Sequence, residues 1–140
     1  MKFQPDQRAG TNVISRHEID ALWVGNSQGN TRYGHSLLVP WQGLVLRWAP
    51  YRADALTEAD FEAVLALQPE LVIFGSGARQ QFVAPGLMHA LIERRIGVET
   101  MDTAAACRTY NVLVAEGRSA VAALLLAPPG SAPNPEPIKG

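Results

Sequence analysis

The chain has 140 residues, 47% of them hydrophobic, and 12 Lys+Arg against 13 Asp+Glu give a formal net charge of −1. That length fits one domain whose core needs neither disulfides nor a metal to fold, and that hydrophobic fraction excludes a wholly disordered chain. The near-zero charge argues against a dedicated nucleic-acid or anionic-membrane binder, and the single Cys107 permits no intramolecular disulfide, which fits a reducing compartment.

Residues 1–10, with Pro5 and Gly10 and few apolar anchors, are expected to be loosely ordered. They hold no apolar stretch of signal-peptide length, so the expected location is cytoplasmic. From Thr11 to Pro50 short strands alternate with turn residues. The first covers 12–17 and the second Ala21–Gly25, followed by the turn-rich Asn26-Ser27-Gln28-Gly29-Asn30. A third strand is expected over Arg32–Val39, Pro40-Trp41-Gln42-Gly43 turns the chain, and Leu44–Trp48 returns, so this third of the sequence predicts an antiparallel β meander.

The period then changes. Thr57 and Asp60 have the spacing of a capping box, and Phe61, Val64 and Leu65 share one helical face. Pro69 ends that helix. Leu71-Val72-Ile73-Phe74 is apolar throughout, as expected of a strand covered on both faces. After Gly75-Ser76-Gly77 and a polar loop, Pro85 suits the first position of a helix with Leu87, Met88 and Leu91 on its apolar face, and Gly97 is expected to stop it. Val98–Met101 predicts a strand. Asp102 or Thr103 caps a third helix, on which Thr103, Cys107, Tyr110 and Val114 share a face, and Gly117 ends it. The run Ala120–Ala127, eight apolar residues, is far shorter than the roughly 20 of a membrane-spanning helix and predicts a buried last strand with no membrane span. The tail from Pro128 to Gly140 holds five of the ten prolines and is expected to be disordered. The expectation is a single α/β domain over 11–127. It has three layers: a central mixed β-sheet, helices packed on it, and an N-terminal antiparallel β layer.

The one candidate site is the exit of the apolar strand. Gly75, Ser76 and Gly77 follow it directly, and ligands of α/β sheets favour the crevice beyond the carboxyl ends of strands. Glycines let N–H groups approach an anion, with Ser76 and Arg79 adding donors, although neither a Rossmann nor a Walker fingerprint is present. Asp102 and Thr103 sit where they reach that loop. Asn111 is disfavoured in mid-helix, which a bond to a neighbouring loop would explain, and a solvent-facing side chain is equally compatible. A Ser76–His89–Asp102 triad can be written, but its order and the missing Gly-x-Ser-x-Gly elbow argue against it. His17, His35 and His89 lie at no ligand spacing, and Cys107 reads as a small core hydrophobe. Tyr33, Trp41, Trp48 and Tyr51 read by default as core aromatics, exposure of two or more pointing instead to a partner surface. No catalytic residue, metal or cofactor is called.

Several segments together resemble a known family: Leu71–Gly77, Gly97-Val98-Glu99, Asp102-Thr103, Ala106-Cys107, Thr109, Asn111, Leu113, Glu116-Gly117-Arg118 and Ala122-Ala123-Leu124. The chain is similar, over roughly residues 11–130, to the small domain of unknown function shared by bacterial and archaeal proteins and mitochondrial complex I assembly factor 3. The resemblance implies a three-layer fold, a role in complex I assembly for the mitochondrial relatives, and no established reaction for the bacterial ones. It pairs the Gly75–Gly77 loop with the Asp102–Asn111 helix. The expected function is a non-enzymatic interaction or assembly module with a protein partner. The alternative is a small anionic-ligand binder or enzyme using Gly75, Ser76, Gly77 and Arg79.

Overall fold

A computed structural model describes residues 10–128. The loose order expected for residues 1–9 and the disorder expected for 129–140 fall outside the described residues. The chain order is β1 (Val13–Glu18), β2 (Ala21–Asn26), β3 (Gly29–Tyr33), β4 (Leu37–Pro40), β5 (Leu46–Arg47), α1 (Glu58–Leu65), β6 (Leu71–Gly75), α2 (His89–Glu93), β7 (Gly97–Met101), α3 (Thr103–Ala115) and β8 (Ala120–Leu124).

These strands form two sheets. β1-β2-β3 is an antiparallel three-stranded sheet, and the five-stranded sheet has the order β5-β4-β8-β6-β7. β6 is parallel to both β7 and β8, while β4 is antiparallel to β8 and β5. β8 is buried along its whole length. Ala120, Ala122 and Leu124 pack towards α3 and the small sheet, whereas Val121, Ala123 and Leu125 pack towards Trp48, Phe61 and Leu91. A strand covered on both faces has no polar alternation to show, which explains the unbroken apolar run. The fold is therefore three-layered and mixed, as the sequence predicts.

The local signals hold in most places. Thr57 and Asp60 form a reciprocal capping box, with Asp60 N–H donating to Thr57 Oγ1 at 3.3 Å and Thr57 N–H to Asp60 Oδ2 at 2.9 Å. Asp102 Oδ1 accepts from Ala105 N–H at 2.8 Å and caps α3. Gly117 lies at φ 85°, while Arg118 N–H reaches back to Leu113 O at 3.0 Å, closing α3 with a left-handed C-terminal turn.

Three expectations are corrected. The strand expected over Arg32–Val39 is broken at Gly34-His35-Ser36, so β3 and β4 belong to different sheets. Ser36 is the pivot: its side chain is buried, its Oγ accepts from Leu126 N–H at 2.9 Å, and its carbonyl accepts from Trp48 N–H at 2.9 Å. Of the turn cluster 26–30 only Ser27-Gln28 turns, because Asn26 Oδ1 accepts Gln28 N–H and Asn26 already pairs with Gly29. Gly97 does not stop the second helix. That helix opens as a 3-10 turn at Pro85–Met88 and ends at Glu93, and Arg95 takes the left-handed position (φ 62°) while Ile96 N–H bonds Leu91 O. Gly97 begins β7.

Asn12 locks the small sheet onto the large one. It is fully buried; its Nδ2 donates to Pro40 O and Gly43 O, each at 2.9 Å, and its carbonyl accepts the Tyr110 hydroxyl at 2.8 Å. A buried amide with every group paired fixes one arrangement of the layers.

Candidate functional site

β6, β7 and β8 run parallel, so their carboxyl ends lie together at one edge of the large sheet. Ser76, Asp102 and Leu125 follow those ends directly. Thr103 ties the edge together. Its N–H donates to Gly77 O at 2.8 Å, its Oγ1 accepts Gly77 N–H at 2.9 Å, and the same hydroxyl donates to Leu125 O at 2.8 Å. Gly75 allows this close approach, since a Cβ there would stand 2.9 Å from Thr103 Cα. Gly77 sits at φ 111°, where a side chain is strained.

The Ser76–Gln81 loop spends its donors on itself. Ser76 N–H donates to Met101 O at 2.8 Å, and Ser76 Oγ donates to Arg79 O at 2.9 Å while accepting Gln81 N–H at 2.9 Å. Ser76 is 1% exposed. With the N–H groups of Ser76, Gly77 and Gln81 all committed, the loop is a self-satisfied turn and offers an anion no cradle from those three groups. Arg79 is exposed, and only its carbonyl enters these bonds. His89 is exposed and pairs with Glu93 at 3.2 Å, away from Ser76.

The structure brings Gly75, Ser76, Gly77, Arg79, Asp102 and Thr103 to one edge but not Asn111. Eight residues beyond Thr103, Asn111 lies about 12 Å further along α3. Its Oδ1 accepts Ile14 N–H at 2.9 Å and its Nδ2 donates to Ile14 O at 2.8 Å. The side chain thus caps the free edge of β1 as a neighbouring strand would, which accounts for a polar residue in mid-helix.

Two adjoining cavities open at the same edge. One of about 410 Å³ is lined by His17 and Glu18 at the end of β1, Ile19 of the β1–β2 turn, Gly77, Ala78, Thr103, and Leu125-Leu126-Ala127. The other, of about 200 Å³, runs from Tyr51–Asp54 to Ser76 and Gln81 and shares Gly77, Ala78, Leu126 and Ala127 with the first. The larger is of ligand-pocket size, and its floor is apolar. Ile19 is 43% exposed on its rim and Tyr51 47% exposed beside the smaller one. Burial lowers the pKa of His17, an effect opposed by the Asp102 and Glu18 carboxylates and reinforced by Arg108, which favours the neutral form of the imidazole on the cavity wall. A larger depression of about 770 Å³ between α1 and α2, with Gln68, Pro69 and Ile96 in its lining, lies at the opposite, amino-terminal ends of β6 and β7.

Residues 17–19 and 125–127 were missed in the sequence. The one local signal was Ile19, a large apolar residue in a connection between two strands.

Cys107 is buried, and burial pushes its thiol up to about 12, so it is an unreactive core residue. Trp48 is buried as expected, packed edge-to-face on Phe61 and Phe74. Phe82 (85% exposed) and Leu44 (82%) are bare.

The family model described as "Protein of unknown function (DUF498/DUF598)" matches residues 20–125. The chain belongs to this family. Within the family's reach, it is 37% identical over 135 residues to NADH dehydrogenase [ubiquinone] 1 alpha subcomplex assembly factor 3 of Bos taurus, covering 90% of this chain and 72% of that protein. The human protein of the same name is 33% identical over 132 residues, covering 89% and 72%. Among solved structures, a Bordetella parapertussis protein superposes with a TM-score of 0.77 at 33% identity, covering 84% of this chain and 98% of that one. A Bordetella pertussis protein described as a Mth938-like domain gives 0.73 at 28% identity, covering 89% and 92%. The family thus shares the three-layer architecture. Among the described residues no helix is long and apolar enough to cross a membrane.

Proposed function

We propose that this protein is a non-enzymatic assembly module that grips an apolar segment of a protein partner at the carboxyl edge of its large sheet. The observation that carries this reading is the pairing of an apolar cavity with a loop whose Ser76, Gly77 and Gln81 N–H groups are already used. Ile19, Ala78 and Ala127 present hydrocarbon beside the buried Leu125 and Leu126, while Thr103 and Ser76 absorb the nearby donors. Such a cavity favours a partner's aliphatic or aromatic side chain over an anion. The relatives named as assembly factors support the same class of role. The anionic-ligand alternative retains only the Arg79 side chain as a free cation on the loop.

The test is affinity capture from native lysate with three baits: the wild-type protein, Ile19→Asp and Arg79→Ala. Ile19 and Arg79 are both exposed, so each variant should keep the wild-type melting midpoint. A partner retained by wild type and by Arg79→Ala but lost with Ile19→Asp is the expected result. Loss with Arg79→Ala alone would favour the anionic alternative, and equal recovery with all three baits would remove the cavity from the interaction.

A further inference from the structure

The outer face of the small sheet carries a second surface, independent of the cavity. Arg16 pairs with Trp23 across β1 and β2, and Trp23 pairs with Arg32 across β2 and β3. In this single row the two guanidinium carbons lie 4.8 and 5.5 Å from the indole centroid, so the ring is flanked by cations on both sides. Trp23 is half-buried and lies on the face opposite Leu22 and Val24, whose side chains join the core. The Arg16 side chain also meets Glu18. Arg32 forms no ion pair among the described residues and is exposed.

Arg32 also lies on a sheet edge. β3 is joined to β2 by a two-residue turn with Asn26 opposite Gly29, so the hydrogen-bonded pairs are Asn26–Gly29, Val24–Thr31 and Leu22–Tyr33. The main-chain N–H and C=O of Asn30 and Arg32 therefore point away from β2. The opposite edge, on β1, is already capped by Asn111. The next row is braced as well: Ser15 Oγ donates to Asn30 Oδ1 at 2.8 Å, across Gly25, where a Cβ would stand 3.0 Å from that oxygen.

We infer that β3 accepts an extended acidic peptide segment as a fourth strand, with a carboxylate on the outer face meeting Arg32, whose guanidinium lies against the Trp23 ring. Charge selects this occupant. In a two-fold pairing with a second copy centred on this row, Arg32 would face Arg32, and like charges directly opposite are unfavourable. A lipid headgroup or a nucleotide would use the guanidinium and the indole but leave the outward main-chain groups of Asn30 and Arg32 unmet. A peptide strand uses both.

The experiment is an amide NMR titration of the full chain with an acetylated, amidated octapeptide alternating Thr and Glu. Two control peptides replace Glu by Gln or methylate alternate main-chain nitrogens. Expected are shifts at Asn30, Arg32 and the Trp23 indole N–H, slowed exchange of the Asn30 and Arg32 amides, and binding weaker by about tenfold for either control and for Arg32→Gln. Equal binding of the methylated peptide would overturn strand addition, and equal binding of the Gln peptide would overturn charge selection. The inference also fails if the Thr-Glu peptide leaves these residues unshifted at millimolar concentration, or if vesicles containing phosphatidylserine shift them and the peptide does not.

Discussion

Phe74→Ala is expected to lower the unfolding free energy by about 3–5 kcal/mol. Phe74 is fully buried at the centre of the face that β6 turns towards α1. Its ring packs edge-to-face on Phe61 at 5.8 Å and on Trp48 at 6.0 Å, and those two rings meet at 5.9 Å. Removing the ring forfeits its transfer free energy, breaks two of the three aromatic contacts and opens a cavity. The neighbours have little freedom to fill it, because Trp48 is also held by its Nε1–H bond to Asp60 O at 3.0 Å. Urea denaturation of the two proteins measures the difference. A loss below about 1 kcal/mol would mean that this layer collapses freely and that the aromatic triad is not the organiser of the α1 face.

Gly75→Ala is expected to cost about 2–3 kcal/mol, and for a different reason. Nothing in the conformation of Gly75 demands glycine, as it is absent from the positive-φ residues. Space is what demands it. The added Cβ would lie 2.9 Å from Thr103 Cα, 3.0 Å from Thr103 Oγ1 and 3.1 Å from Ala106 Cβ. Two of these atoms belong to the helix backbone or to a side chain with no freedom to rotate away, so α3 must move off β6 as a unit. The movement also stretches the Thr103 bonds to Gly77 and Leu125 and leaves buried polar groups poorly paired. Calorimetry should show a lower melting temperature, and amide spectra should show changes concentrated at Gly77, Thr103 and Leu125. An unchanged midpoint would show that α3 and β6 are less tightly opposed than described.

How far the site could be read from the residues depends on the range of each interaction. Short-range signals served well: the Thr57–Asp60 box, the Asp102 cap, Gly117, and the apolar runs of β6 and β8. Each is decided within a few residues. The Gly75-Ser76-Gly77 loop follows β6 directly, as the residues indicate, but where its N–H groups point is not a local property. Glycines after a strand look the same whether their N–H groups face solvent or a helix hydroxyl, and here Thr103, 26 residues away from Gly77, claims the donor. Asn111 in mid-helix left a bonded and a solvent-facing side chain equally open, and the structure gives it a partner. That partner is Ile14, 97 residues away, and no local pattern names it. The cavity wall formed by 17–19 and 125–127 joins opposite ends of the described residues, and only Ile19 marks it locally. Arg95 took a left-handed position that glycine fills at far lower cost, and no rule of composition singles it out.

The central claim is that the carboxyl edge of the large sheet holds a partner. Hydrogen exchange of the full chain, alone and with the partner recovered by wild-type capture, tests it most directly. The account predicts slowed exchange at 17–19, 77–79 and 125–127, with the α1–α2 groove unchanged. Slowing confined to residues 62–69 and 90–96, with that edge exchanging at its free rate, would contradict it.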